Sequence, residues 1–135
     1  MSAQAVLDAC ALIAWMREEP GADAVGGLLD DPARPKFIHA VNLVEVHYDL
    51  IRLVGVEQAD REIADLTGSS LVVRRDMDAG FRGSVARLKS RGRISLADCF
   101  CIALANRLGG EVWTTDRTEF QPLADAGLCQ AVFIR

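Results

Sequence analysis

Apolar residues recur along this chain in two rhythms, short runs of three or four and longer stretches at helical spacing, and the two alternate. The runs from Ala5 to Asp8, Lys36 to His39, Leu71 to Val73, Trp113 up to Asp116 and Ala131 to Ile134 predict five strands. Helices are expected around Leu12 to Met16, in a short piece up to Leu29, from about Val41 to Val54, and from Val56 to Leu66. Two more follow, one through Met77, Phe81, Val85 and Leu88 and one from Ser95 to Leu108. Glycines close four of these helices, at Gly55, Gly68, Gly92 and Gly109-Gly110, and two prolines mark the turn from Asp30 to Pro35. Strand and helix in alternation favour a layered α/β domain.

Four acids interrupt this pattern where a carboxylate needs a positive partner. Asp8 ends the first strand-like run, Asp116 ends Val112-Trp113-Thr114-Thr115-Asp116, and Asp98 opens the apolar helix that follows Ser95. Glu45 is the fourth. On its helix Leu43, Val46, Leu50, Ile51 and Val54 share one arc, and Glu45, Asp49 and Arg52 lie opposite, facing either solvent or a polar cleft. If the strands lie side by side in a parallel sheet, their carboxyl ends open on one crevice, where open α/β folds bind ligands.

Each acid also has an ordinary structural use. Asp8 can cap the helix after it, Ser95-x-x-Asp98 has capping-box spacing, and Asp116 stands in a turn-like context before Arg117. The helix behind Asp98, however, carries no further charge until Arg107, so it is expected to be buried and its acid to need a cation. Two carboxylates ~4 Å apart repel by about 4 kcal/mol at an effective dielectric of roughly 20, so a cluster of four requires counter-charge or protons. Hard oxygen donors without histidine or thiolate suit Mg²⁺ or Mn²⁺.

Composition narrows the classes. At 135 residues, half of them apolar, one domain spanning 1–135 can bury a core without covalent staples. Cys10, Cys99, Cys101 and Cys129 lack Cys-x-x-Cys spacing, and His39 and His47 are too few to complete a zinc site, so reduced thiols in a cytosol are expected. The first cation is Arg17, Asp8 breaks the opening apolar stretch, and no run approaches membrane-spanning length; a soluble, untargeted, cytoplasmic protein is expected. Net charge is −4, yet between Ala79 and Ala97 stand five cations, Arg82, Arg87, Lys89, Arg91 and Arg93, and no acid. Such a stripe is either a solvated helix face or a local path for a polyanion.

With these residues in hand, the chain resembles a PIN domain, and within that family the VapC-type toxin of a bacterial toxin–antitoxin pair. The stretches that carry the resemblance are Val6-Leu7-Asp8-Ala9-Cys10-Ala11-Leu12-Ile13-Ala14, Asn42-Leu43-Val44-Glu45-Val46, Gly92-Arg93-Ile94-Ser95-Leu96-Ala97-Asp98-Cys99 and Thr114-Thr115-Asp116-Arg117-Thr118-Glu119-Phe120. They span nearly the whole chain, in order. The resemblance implies a three-layer α/β/α fold on a central parallel sheet of about five strands, a homodimer, and neutralisation by a small cognate antitoxin. It also implies that Asp8, Glu45, Asp98 and Asp116 gather around Mg²⁺ or Mn²⁺ and support endonucleolytic cleavage of RNA, with Glu119 a further acid near the metals. Cys10 departs from the pattern, standing where many relatives have a serine; a thiol is the weaker donor.

The function expected from sequence is therefore a metal-dependent endoribonuclease. Thr114 or Thr115 would orient Asp116, and some of Arg82, Arg87, Lys89, Arg91 and Arg93 would hold RNA phosphates, while Cys99, Cys101 and His47 would serve packing. Its alternative is a non-catalytic PIN-fold module that binds RNA or protein. A phosphoacceptor receiver shares an acidic crevice on a parallel sheet, but its usual late lysine is missing, since the only lysines are Lys36 and Lys89.

Overall fold

The computed structural model describes residues 3–135. Five strands, β1 (Ala5–Leu7), β2 (Lys36–His39), β3 (Val72–Arg74), β4 (Glu111–Thr114) and β5 (Ala131–Phe133), form one sheet in the order β3-β2-β1-β4-β5. Every pairing is parallel. Seven helices fill the connections among the described residues: α1 (Ala9–Met16), α2 (Ala22–Asp30), α3 (Ala40–Val54), α4 (Val56–Thr67), α5 (Ala79–Ser90), α6 (Leu96–Leu108) and α7 (Arg117–Asp125).

Strand order dictates the layers. The chain steps outward from β1 to β2 and β3, then returns to the other side of β1 and steps outward again through β4 and β5. Parallel crossovers are right-handed, so reversing the direction of travel moves the connecting helices to the opposite face of the sheet. Two separate cores record this. Ala5 and Leu7 pack with Leu12, Val25, Val46 and Ile63 beneath α1 to α4, and Val6 and Val112 pack with Phe81, Val85, Ile102 and Phe120 beneath α5 to α7. Alternate residues of β1 thus serve alternate cores, the period-two signature of a strand buried on both faces. The three-layer expectation is met.

The turn between α6 and β4 sets how closely β4 meets β1. Gly109 takes a left-handed φ of 64°, and at Gly110 a Cβ would collide with the carbonyl of Gln4. Register then places Leu7 opposite Trp113, and Asp8 N–H donates to the Trp113 carbonyl at 3.1 Å. The ends of β1 and β4 are locked level at the point where strand order reverses, which is where a doubly wound sheet opens its crevice.

Four expectations require correction. The first helix begins at Ala9 rather than Leu12, because Asp8 caps it. The third strand lies one residue later than Leu71 to Val73, and the fourth ends at Thr114, short of Asp116. Helix α7 has no counterpart in the sequence pattern: it buries only Phe120 and carries Pro122 inside, which removes an N–H from the helical ladder.

Candidate metal centre

Asp8 follows β1 directly and is 1% exposed. Its Oδ1 accepts the Ala11 N–H at 2.8 Å, capping α1. Its Oδ2 is buried with no hydrogen-bond partner. Burial pushes the carboxyl up to about 7; Thr114 and the Ala11 N–H pull it down, and Asp116 and Glu45 push it up again.

Asp98 sits in the first turn of α6, whose seven residues from Cys99 to Ala105 are all buried. The capping box is only half made by its own residues. Ser95 Oγ accepts the Asp98 N–H at 3.2 Å, but the Ser95 N–H donates to Glu119 Oε1 at 2.9 Å, so Glu119 of α7 does what Asp98 would do in a closed box. Asp98 is thereby released from capping. Its carboxyl is pushed up to about 8, first by burial, then by a hydrogen bond and repulsion shared with Glu119, with Ser95 opposing and Asp8 adding. Burial and a neighbouring carboxylate both favour the protonated form of Asp98.

The polar arc of α3 divides. Asp49 pairs with Arg17 at 2.9 Å, while Glu45 is raised by burial and by Glu119 and lowered by Asn42. Asn42 is fully buried, and its Nδ2 donates to the Ala97 carbonyl at 3.0 Å, fastening α3 to the first turn of α6. Asn42 was read from the sequence only as part of a family stretch; its tie to α6 was not, although its polarity in an otherwise apolar turn, one turn before Glu45, was the available signal. Asp116 caps α7 through the Glu119 N–H at 2.9 Å, and Thr114 Oγ1 accepts the Asp116 N–H at 2.9 Å. Thr115 is half-buried beside them.

One atom registers all four acids. The Cys10 thiol reaches the surface, yet it is pushed up to about 12 by partial desolvation and then by Asp8, Asp98, Asp116 and Glu45 in that order. It remains a neutral thiol. Fold topology therefore brings Asp8, Glu45, Asp98, Asp116 and Glu119 into one electrostatic neighbourhood. Among the described residues, though, no three His, Cys, Asp or Glu side chains are drawn tightly enough to hold an ion as they stand. The donor chemistry still fits a hard divalent cation. All five acids offer oxygen, and Asp8 Oδ2, buried and unpartnered, lacks a positive partner.

The five cations of the basic stretch do not act as one surface. Arg82 donates to the Met77 carbonyl at 2.7 Å, and Lys89 to the Ile94 carbonyl at 2.8 Å. Arg87 and Arg91 line a groove between α5 and α6, and Arg93 is exposed in the turn before α6. Cys99 and Cys101 are buried as expected, but His47 is not a packing residue: its Nε2 meets Asp60 at 2.8 Å on the surface between α3 and α4.

Comparison with known proteins agrees with this architecture. Among curated proteins none matches the sequence. Solved structures align over almost the full length, three VapBC structures among them. VapBC-1 from nontypeable Haemophilus influenzae is 23% identical, covering 96% of this chain and 97% of its own, with a TM-score of 0.72. DNA-bound VapBC from Salmonella typhimurium is 16% identical, with 99% and 100% covered and a TM-score of 0.70. VapBC2 from Rickettsia felis, bound to a promoter DNA fragment, is 15% identical, with 96% and 97% covered and a TM-score of 0.72. At such identities the likeness establishes the fold. The family model for the PIN domain matches residues 5–125, and the chain belongs to the PIN domain family.

Proposed function

We propose that this protein is a Mg²⁺- or Mn²⁺-dependent endoribonuclease acting as the toxin of a type II toxin–antitoxin pair, in the cytoplasm and as a homodimer. The observation that carries this is Asp8 Oδ2, buried at the end of β1 without a partner, in the electrostatic reach of Asp116 and Glu45 and with Asp98 in turn in the reach of Asp8, the carboxyls of Asp8 and Asp98 being raised to about 7 and about 8. Asp8, Glu45, Asp98 and Asp116 would hold the metal directly or through water. When bound, such an ion activates water and neutralises charge at a phosphoryl centre. The chain's own residues supply the frame: the Thr114 hydroxyl fixes the backbone at Asp116, Asn42 ties α3 to α6, and Glu119 holds Ser95 so that the Asp98 carboxyl stays free of its own helix cap.

An antitoxin partner is supported by the aligned VapBC structures and by a toxin–antitoxin complex from Klebsiella pneumoniae that aligns over 98% of this chain. On this chain its segment would enter a groove of about 610 Å³ on the α1 to α4 side, where Trp15 and Leu50 give an apolar floor and Glu18, Glu62 and Asp65 an acidic rim. Glu62 Oε2 is buried there without a hydrogen-bond partner, so an apolar segment bearing Lys or Arg is complementary.

Cleavage of total RNA is the test, run with Mn²⁺ and with chelator on the wild type and on Asp8→Asn and Asp98→Asn. Metal-dependent cleavage by the wild type alone is expected; wild-type-like cleavage by either variant would remove the metal-ligand assignment. The open spacing of the acids favours a second reading, a PIN-fold module that binds RNA or protein without cutting it. RNA retained but never cleaved with Mn²⁺ would select it.

A further inference from the structure

The basic stretch holds a feature that the acidic centre does not use. Helices α5 and α6 run antiparallel, because Arg107 near the end of α6 pairs with Asp78 at the start of α5, while Lys89 near the end of α5 reaches Ile94 just before α6. Between them lies a groove of about 430 Å³ lined by Ser84, Arg87, Arg91, Asn106 and Arg107. Arg107 is fixed by Asp76 and Asp78 at 2.6 to 3.0 Å and packs over the Phe81 ring, 5.2 Å from its centre. Those two acids are engaged by Arg107 and, at Asp76, also by Arg74. Arg87 and Arg91, one helical turn apart, make no ion pair among the described residues. The Arg87 guanidinium folds back over Gly83, where a Cβ would stand 3.1 Å from its Nη1. Two uncompensated forks on one wall of a groove without an acidic lining residue are a site for phosphate oxygens.

Resting on the nuclease reading above, we propose that Arg87 and Arg91 grip RNA backbone phosphates away from the scissile bond, as a positioning exosite. Helix α6 supplies the ruler. From Asp98 to Asn106 is about 12 Å at ~1.5 Å per residue, which a stacked strand spans in roughly three or four phosphates at ~3.4 Å each. Arg91 is the C-cap of α5, at the end of the groove toward the start of α6, with Arg87 one turn further from it.

The test is binding of a fluorescein-labelled single-stranded RNA by anisotropy over a salt series, with chelator present so that no cleavage intervenes. It compares the wild type, Arg87→Ala/Arg91→Ala and, as a control on the opposite layer, Arg61→Ala. Alanine is the strongest helix former, so α5 should persist in the double variant, checked by its melting curve. Losing two phosphate contacts should lower the slope of log affinity against log salt by about 1.4, at ~0.7 per contact for a single strand, with Arg61→Ala unchanged. An unchanged slope in the double variant, or an equal loss in Arg61→Ala, would overturn the exosite. So would wild-type binding of polyglutamate in preference to the RNA, lost in the double variant, which would give the groove to an acidic protein segment. Cleavage with Mn²⁺ is scored separately: a wild type that cuts RNA while the double variant binds normally defeats the exosite and spares the nuclease, and the reverse pattern does the opposite.

Discussion

Asp8 and Asp98 make the metal-free protein sensitive to pH in a defined direction. Both carboxyls move from an ordinary 3.8, to about 7 and about 8, so the folded chain holds protons that the unfolded chain has released. Stability from these groups is complete below about 4 and drains away as pH rises toward about 8, because folding then requires ionising buried acids. Urea midpoints of chelated protein should fall over that window, and Asp8→Asn or Asp98→Asn should flatten the fall. A midpoint that rises with pH across the same range would refute the burial of these two acids in the metal-free fold. The same residues show what sequence can and cannot reveal. Asp8, Asp98 and Asp116 stood out because each breaks an apolar run, and their capping uses were legible as well. That Glu119 would displace Asp98 from the Ser95 cap was not legible, since it depends on where α7 docks and no local spacing encodes that.

Helix α7 is the element through which the centre is most exposed to perturbation. It positions Asp116 and Glu119, yet Phe120 is its one buried residue. Phe120→Ala should cost about 3–5 kcal/mol, the usual range for emptying a packed aromatic site, and it should also abolish stabilisation by Mn²⁺. Denaturant curves with and without Mn²⁺ separate these effects; a destabilised variant with full metal response would show that α7 does not shape the site. Periodicity found the other six helices because each buries two residues or more. It passed over α7 because one buried side chain makes no period, and Pro122 argues locally for a loop.

At the scale of the whole molecule, a cation bound at the proposed centre would be a ligand of the folded state. Mn²⁺ at a hundredfold excess over its dissociation constant should add about 2.7 kcal/mol, a rise of several degrees in Tm at roughly 2–8 °C per kcal/mol for a small domain. Calorimetry should show that shift vanish in Asp8→Asn/Asp98→Asn; an equal shift would place the ion elsewhere. Among the described residues no helix is long and apolar enough to cross a membrane. The strand order carries one more consequence. Leu7 and Trp113 are direct neighbours in the sheet although more than a hundred residues separate them along the chain, and Asp98 and Asp116 flank that late strand. Loop closure over such a distance comes late in folding. On a ribosome delivering ~5–20 residues per second, the nascent chain carries Asp8, and then Glu45, for most of its synthesis without Asp98 or Asp116 to meet them. A chain that stalls before β4 lacks Asp116 and Glu119, so the proposed centre is completed only when translation is nearly finished.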